Sequence, residues 1–152
     1  MESKELYLKS SIFGSLLGIG FGTLIGALTG ILSAAWNGIL FCAIAGFILG
    51  IPTGILTGAV VVWTSGRTGG VSTGAYTGMV FGALFGGLLG IFIPDSFRAA
   101  VATLHILVLD VLTHGRFETA ILLSYLVSIT ATMVGAWIGG RNLKPRDLTK
   151  AS

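Results

Sequence analysis

The stretch from Gly14 to Gly30 reads GSLLGIGFGTLIGALTG and places a glycine at every fourth position. Glycine weakens a helix by about 1 kcal/mol relative to alanine, so this spacing needs a reason other than helix stability. Residues four apart lie on the same face of a helix, and a face of glycines has no side chains to hold a second backbone away. The spacing therefore predicts a helix that packs very closely against a neighbour.

The distribution of charge predicts that this helix lies in a membrane. The chain has 152 residues, of which 53% are hydrophobic and 10% are charged, whereas soluble domains carry about 25% charged residues. No Lys, Arg, Asp or Glu occurs between Ser10 and Gly66, a stretch much longer than the roughly 20 residues that cross a bilayer once. Because the period-two alternation of barrel strands is missing, the sequence predicts an all-α, multi-pass membrane protein.

Four transmembrane helices are expected. An additional amphipathic helix at the membrane interface is expected at 96–114, because apolar residues fall on one side of it and Arg98, His105 and Asp110 fall towards the other. The alternative is that this segment forms a fifth span. The expected spans are 11–34, 38–63, 71–93 and 117–139, which make residues 1–140 one transmembrane domain that is followed by a basic polar tail at 141–152.

The positions of Lys and Arg predict how the chain is oriented. With four spans, the N-terminal segment, the 64–70 loop and the tail share one side of the membrane, and a fifth span would separate the two termini. Both termini are therefore expected on the cytoplasmic or equivalent side of a cell inner membrane or an organelle membrane. The basic residues that decide this are Lys4, Lys9, Arg67, Arg141, Lys144, Arg146 and Lys150.

The first three spans look like copies of one another. A shift of 60 residues aligns the five glycines of the first span with five of the third, and a shift of 32 aligns LGIGFGTLIGA at 17–27 with LGIPTGILTGA at 49–59. In lipid, helices associate through close van der Waals contact, which small residues four apart promote. The residues expected to pack helices together are Gly14, Gly18, Gly22, Gly26, Gly30, Gly46, Gly50, Gly54, Gly58, Gly74, Gly78, Gly82, Gly86 and Gly90.

This glycine spacing is similar to that of glycine-zipper membrane proteins, including the Tim17–Tim22–Tim23 translocase family. The resemblance covers only the spacing within residues 14–90. The polar and charged residues associated with that family between its spans are missing here. The resemblance therefore implies close helix packing and assigns no functional residue.

Few side chains within the spans can carry chemistry. The first three spans contain no Lys, Arg, His, Asp or Glu, and Cys42 is their one cysteine, whereas pumps and proton-coupled transporters use intramembrane Asp, Glu or His. Pro52 removes one hydrogen bond from the second span and predicts a kink, although broken helices also occur at transporter binding sites. A narrow polar path remains an alternative, because hydroxyl groups occur at Thr23, Thr29, Thr53, Thr57, Thr73, Thr77, Ser124, Ser128, Thr130 and Thr132.

His105 and His114 are the two candidates for a ligand to a metal, a haem or a pigment. No second ligand lies three or four residues from His105, so the sequence predicts no metal site and leaves any cofactor unassigned. No nucleophile–base pair, phosphate-binding loop or nucleic-acid signature occurs, so no catalytic residue and no nucleic-acid partner are predicted.

These features favour a non-enzymatic structural or assembly subunit of a larger membrane complex. Its expected partners are the lipid bilayer and either other membrane subunits or further copies of the same chain. Two alternatives remain open at this point. One is a small homo-oligomeric channel or permease, and the other is an accessory subunit that binds a pigment or a lipid.

Overall fold

The computed structural model describes residues 2–31, 36–65, 70–92 and 118–140. Within these ranges the chain forms four α-helices that are all long and apolar enough to cross a membrane. This confirms, for the described residues, the expectation of an all-helical chain with four helices of membrane-spanning length and hydropathy. The helices are α1 (Glu2–Ile31), α2 (Trp36–Ser65), α3 (Val71–Phe92) and α4 (Glu118–Gly140).

The first helix begins earlier than the apolar pattern predicts. It starts at Glu2 and not at residue 11, because its first turns are polar but still helical. Lys9 lies 3.9 Å from Glu5, one helical turn before it, and both side chains are exposed. Pairs of opposite charge at this spacing stabilise a helix by only a few tenths of a kcal/mol. The segment 96–114, whether interfacial helix or fifth span, and the tail at 141–152 lie outside the described residues.

Each helix packs most extensively against its neighbour in the sequence, so the four helices form two hairpins, α1–α2 and α3–α4. Both hairpins are antiparallel. Near the start of α1, Ser10 contacts Gly58, whereas Gly26 near its end contacts Cys42 at the start of α2. In the second hairpin the contacts likewise run backwards along α4 as they advance along α3.

Helix α4 joins the two hairpins, because it also packs against α1 and α2. At one end of the bundle Leu122 and Leu126 pack with Ile25 of α1, and at the other end Val134 and Ile138 join a second cluster. This second cluster includes Val61 of α2 and Phe13 of α1. Helix α4 therefore runs antiparallel to α1 and parallel to α2. Helices α1 and α3 lie on opposite sides of the α2–α4 contact.

Candidate functional site

The contact between α1 and α2 is made by backbone on both sides. A Cβ atom added at Gly22 would overlap the carbonyl oxygen of Gly46, and one added at Gly46 would overlap the carbonyl oxygen of Gly22. Because each backbone occupies the space where the other would carry a side chain, only glycine fits at such a pair. The same reciprocal contact joins Gly14 to Gly54 and Gly18 to Gly50.

The contact between α3 and α4 is made differently. Helix α3 contributes glycines, but only Gly135 of α4 forms a reciprocal pair, with Gly74. Further along, an added Cβ at Gly82 would lie 2.5 Å from the Cα atom of Ser128. The facing residues of α4 are small and include Ser124, Ser128, Ala131 and Gly135. This packing role of α4 was not predicted from the sequence, although small residues three or four apart are the signal for it.

All fourteen glycines that the sequence singled out are buried. Twelve of them have described contacts, and in each case the neighbour is another helix of the same chain. These fourteen glycines, here called the stripe glycines, thus face the interior of the bundle and leave no open groove for a second chain. Two other glycines behave in the opposite way, because nothing lies within 4 Å of a Cβ added at Gly20 or at Gly87.

Most of the hydroxyl groups bond to backbone carbonyls. Thr29 donates to Ile25 at 2.8 Å and Thr130 donates to Leu126 at 2.8 Å, one turn earlier in the same helix. This is the ordinary way in which a threonine hydroxyl is satisfied inside a helix. Thr23 and Thr132 do the same at 2.7 Å and 2.6 Å. The burial of these four hydroxyls is therefore explained by bonds within their own helices, without a polar path.

Two serines of α4 donate across the helix contact. Ser124 donates to the carbonyl of Ala83 and Ser128 donates to the carbonyl of Met79, each at 3.3 Å. Both bonds join α4 to α3, so these serines contribute to the contact within the second hairpin. On α3, Thr73 is exposed. Thr77 lies at 3.5 Å from Thr64 of α2 and is half-buried.

Thr53 and Thr57 differ from the other hydroxyls. Both side chains have an exposed fraction of 0%, and neither hydroxyl has a hydrogen-bond partner in the part of the chain that the structure describes. A small cavity of about 10 Å³ lies between α2 and α4 beside Thr53. It is lined by Gly46, Leu49, Gly50, Thr53, Leu126, Val127 and Thr130.

Helix α2 continues without interruption through Pro52 from Trp36 to Ser65. The proline therefore does not divide the helix, as it would in a transporter with a broken span. Cys42 is a free, buried cysteine, and its carbonyl contacts Gly26. Within the described residues no group of three His, Cys, Asp or Glu side chains could hold a metal. His105 and His114 lie outside the described residues.

The described residues thus offer tight helix contacts and two buried hydroxyls that have no hydrogen-bond partner among them. Neither feature contains a nucleophile activated by a base or a cluster of metal ligands. Comparison with known proteins adds no relationship, because no family model, no curated protein and no solved structure matches the chain.

Proposed function

We propose that the chain is a non-enzymatic structural or assembly subunit of a larger membrane complex. The observation that carries this proposal is the reciprocal backbone contact in the α1–α2 hairpin, which brings Gly14, Gly18 and Gly22 against Gly54, Gly50 and Gly46. Close approach increases the dispersion attraction between two helices, which lipid does not otherwise drive together. Helices held in this glycine-zipper manner make a stiff module on which other membrane proteins can assemble.

The interior of the bundle supports a structural role over a transport role. Outside the short polar segment at the start of α1, the described spans contain few ionisable groups. Among them, Cys42 is buried in the α1–α2 contact. The cavity between α2 and α4 has a volume of about 10 Å³, which corresponds to about one water molecule. A solute larger than water has no room in this cavity.

The surface available to a partner is the outer face of α1 or α3. Because the stripe glycines contact other helices of the same chain, we assign the contact with a partner to Gly20 and Gly87. Leu16 and Leu24 are exposed on either side of Gly20, and the space around both outer glycines is open. A glycine on a lipid-facing helix leaves a notch where a partner helix can approach.

The orientation of the chain is part of this proposal. We place both termini on the cytoplasmic or equivalent side and the interfacial helix at 96–114 on the other side, following the Lys and Arg distribution. Support comes from the last turn of α4, where Gly140 contacts Val71 at the start of α3. Labelling of cysteines placed at Ser3, Thr68, Ser96 and Ser152 in a Cys42→Ala background tests it. Labelling of Ser3 and Ser152 from opposite sides would contradict it and make 96–114 a span.

Purification in native lipid followed by mass measurement of the intact assembly tests the subunit role. We expect chains of different sequence to co-purify in fixed ratio with the wild-type protein. Gly20→Leu or Gly87→Leu should release them without lowering the thermal stability of the chain itself. A ring of identical chains would favour the channel, and co-purified pigment or tightly bound lipid would favour the accessory subunit.

One observation favours the channel as a second candidate. The hydroxyls of Thr53 and Thr57 are buried one turn apart on α2 and have no hydrogen-bond partner within the four described helices, as groups lining a narrow path would be. Flux of ions or small solutes into liposomes that contain only the purified chain tests this candidate. Saturable flux that Thr53→Val or Thr57→Val blocks would establish the channel, whereas the subunit proposal expects none.

A further inference from the structure

We propose that the cavity between α2 and α4 is a binding site for one water molecule, held by Thr53 and Thr130 at the contact between the two hairpins. This inference is independent of whether the chain is a subunit or a channel. Both threonines line the cavity. Thr53 is completely buried, and its hydroxyl finds no partner among the described protein groups.

The size and lining of the cavity select the ligand. A volume of about 10 Å³ is at the lower limit for one water molecule and is far too small for a lipid, a haem or a pigment. The lining consists of glycine, leucine, valine and threonine, so no carboxylate is present there to balance a cation. A buried ion without a counter-charge is strongly disfavoured. The ligand that fits is therefore small, neutral and able to form hydrogen bonds.

The lining also supplies the bonds that a buried water requires. Such a water makes two to four hydrogen bonds, and a hydroxyl can donate one bond and accept two. The Thr53 hydroxyl has its full capacity left within the described protein. The Thr130 hydroxyl donates its proton to the carbonyl of Leu126, and its oxygen can still accept a hydrogen bond. The water would accept a bond from Thr53 and donate one to Thr130.

Pro52 leaves a second polar group without its usual hydrogen bond in the same part of α2. Proline has no amide hydrogen, so the carbonyl of Ile48 receives no ladder bond from residue 52. In membrane helices ordered waters and threonine side chains commonly compensate for such a loss. The helix nevertheless continues through this turn, and Thr53 follows the proline directly. The water would thus add a polar link between α2 and α4 at the weakened turn.

The first test compares Thr53→Val with Thr57→Val. Thr57 is the matched control, because it is equally buried and equally without a partner but does not line the cavity. Replacing an unpartnered buried hydroxyl by a methyl is neutral or stabilising, whereas removing one partner of a bound water is destabilising. We expect Thr53→Val to melt about 2–4 °C below Thr57→Val. Equal melting temperatures, or a higher one for Thr53→Val, would overturn the proposal.

The second test is direct and does not require a variant to fold. A high-resolution structure of the full chain in lipid nanodiscs should show a solvent peak within about 3 Å of the Thr53 hydroxyl oxygen. The peak should be lost in Thr53→Val if that variant folds. Absence of a peak in the wild-type cavity at a resolution where other buried waters are visible would overturn the proposal.

Discussion

The two hairpins solve the same packing problem in different ways. In α1–α2 both helices carry glycines and their backbones contact reciprocally, whereas in α3–α4 the glycines are mostly on α3 and face serines and an alanine of α4. The side chains of α4 are also the most deeply buried. Half of its membrane-spanning window is buried, compared with 33% for α1, 28% for α2 and 22% for α3, and α4 packs against α1 and α2 as well as against α3.

Helix α4 carries large side chains on the sides that face α1 and α2, and small residues on the side that faces α3. On its other sides α4 must fill space against α1 and α2, and it does so with Leu126, Val127 and Val134, which are almost completely buried. The side towards α3 then keeps residues small without removing every Cβ atom. Hydroxyl bonds from Ser124 and Ser128 supplement the looser contact. The comparison teaches that two helices can pack closely either through paired glycines or through glycines that face small residues and are supplemented by hydroxyl bonds.

The largest loss of stability is expected when a glycine in a helix contact is replaced by a larger residue. Gly22→Leu should abolish folding or reduce the free energy of unfolding by more than about 4 kcal/mol, because its side chain would meet the carbonyl of Gly46. Gly82→Leu should also disrupt the fold, because it would meet the backbone at Ser128. Yield and thermal stability in detergent measure both effects.

The control for these variants is Leu17→Ile, which keeps the volume of a side chain in the core and should cost less than about 1.5 kcal/mol. Wild-type stability for both glycine variants would contradict the packing described here and remove the basis of the comparison between hairpins.

A smaller effect is expected from two adjacent glycines of α3. A Cβ atom at Gly86 would lie 2.6 Å from the carbonyl oxygen of Leu123, whereas one at Gly87 would meet nothing within 4 Å. Gly86→Ala should therefore destabilise the chain by about 1–3 kcal/mol through overpacking. Gly87→Ala should stabilise it by about 0.5–1 kcal/mol, since alanine restricts the unfolded chain and favours the helix. Chemical or thermal unfolding of the two variants measures the difference, and equal shifts would mean that α4 does not contact this face.

The smallest effect concerns the hydroxyl bonds. Ser128→Ala removes a bond of 3.3 Å in the second hairpin, and interhelical bonds of this kind contribute on average about 0.6 kcal/mol in membranes. Ser10→Ala removes a buried bond of 2.9 Å to the carbonyl of Gly58 in the first hairpin and should cost about 1 kcal/mol. Unfolding free energies of both variants sharpen the comparison. A larger loss for Ser128→Ala would show that the second hairpin depends on its hydroxyl bonds more than its geometry suggests.

The sequence alone determined the helical membrane class and the faces that carry glycine. Both follow from local properties. Long stretches without charge indicate helices that lie in lipid, and residues four apart lie on the same face of a helix. Charge does not mark the start of the first helix, because the polar residues before Ser10 continue that helix to Glu2.

Only the tertiary structure decided which faces meet. Nothing local in the sequence specifies that Gly22 lies against Gly46, or that the small face of α4 lies against α3, because the register depends on how whole surfaces fit together. The same holds for the hydroxyls. Thr130 and Thr53 look alike in sequence, but the first donates to its own helix and the second lies beside a cavity without a protein partner. Whether a buried hydroxyl is satisfied depends on the packing of the neighbouring helix, which is a long-range property of the fold.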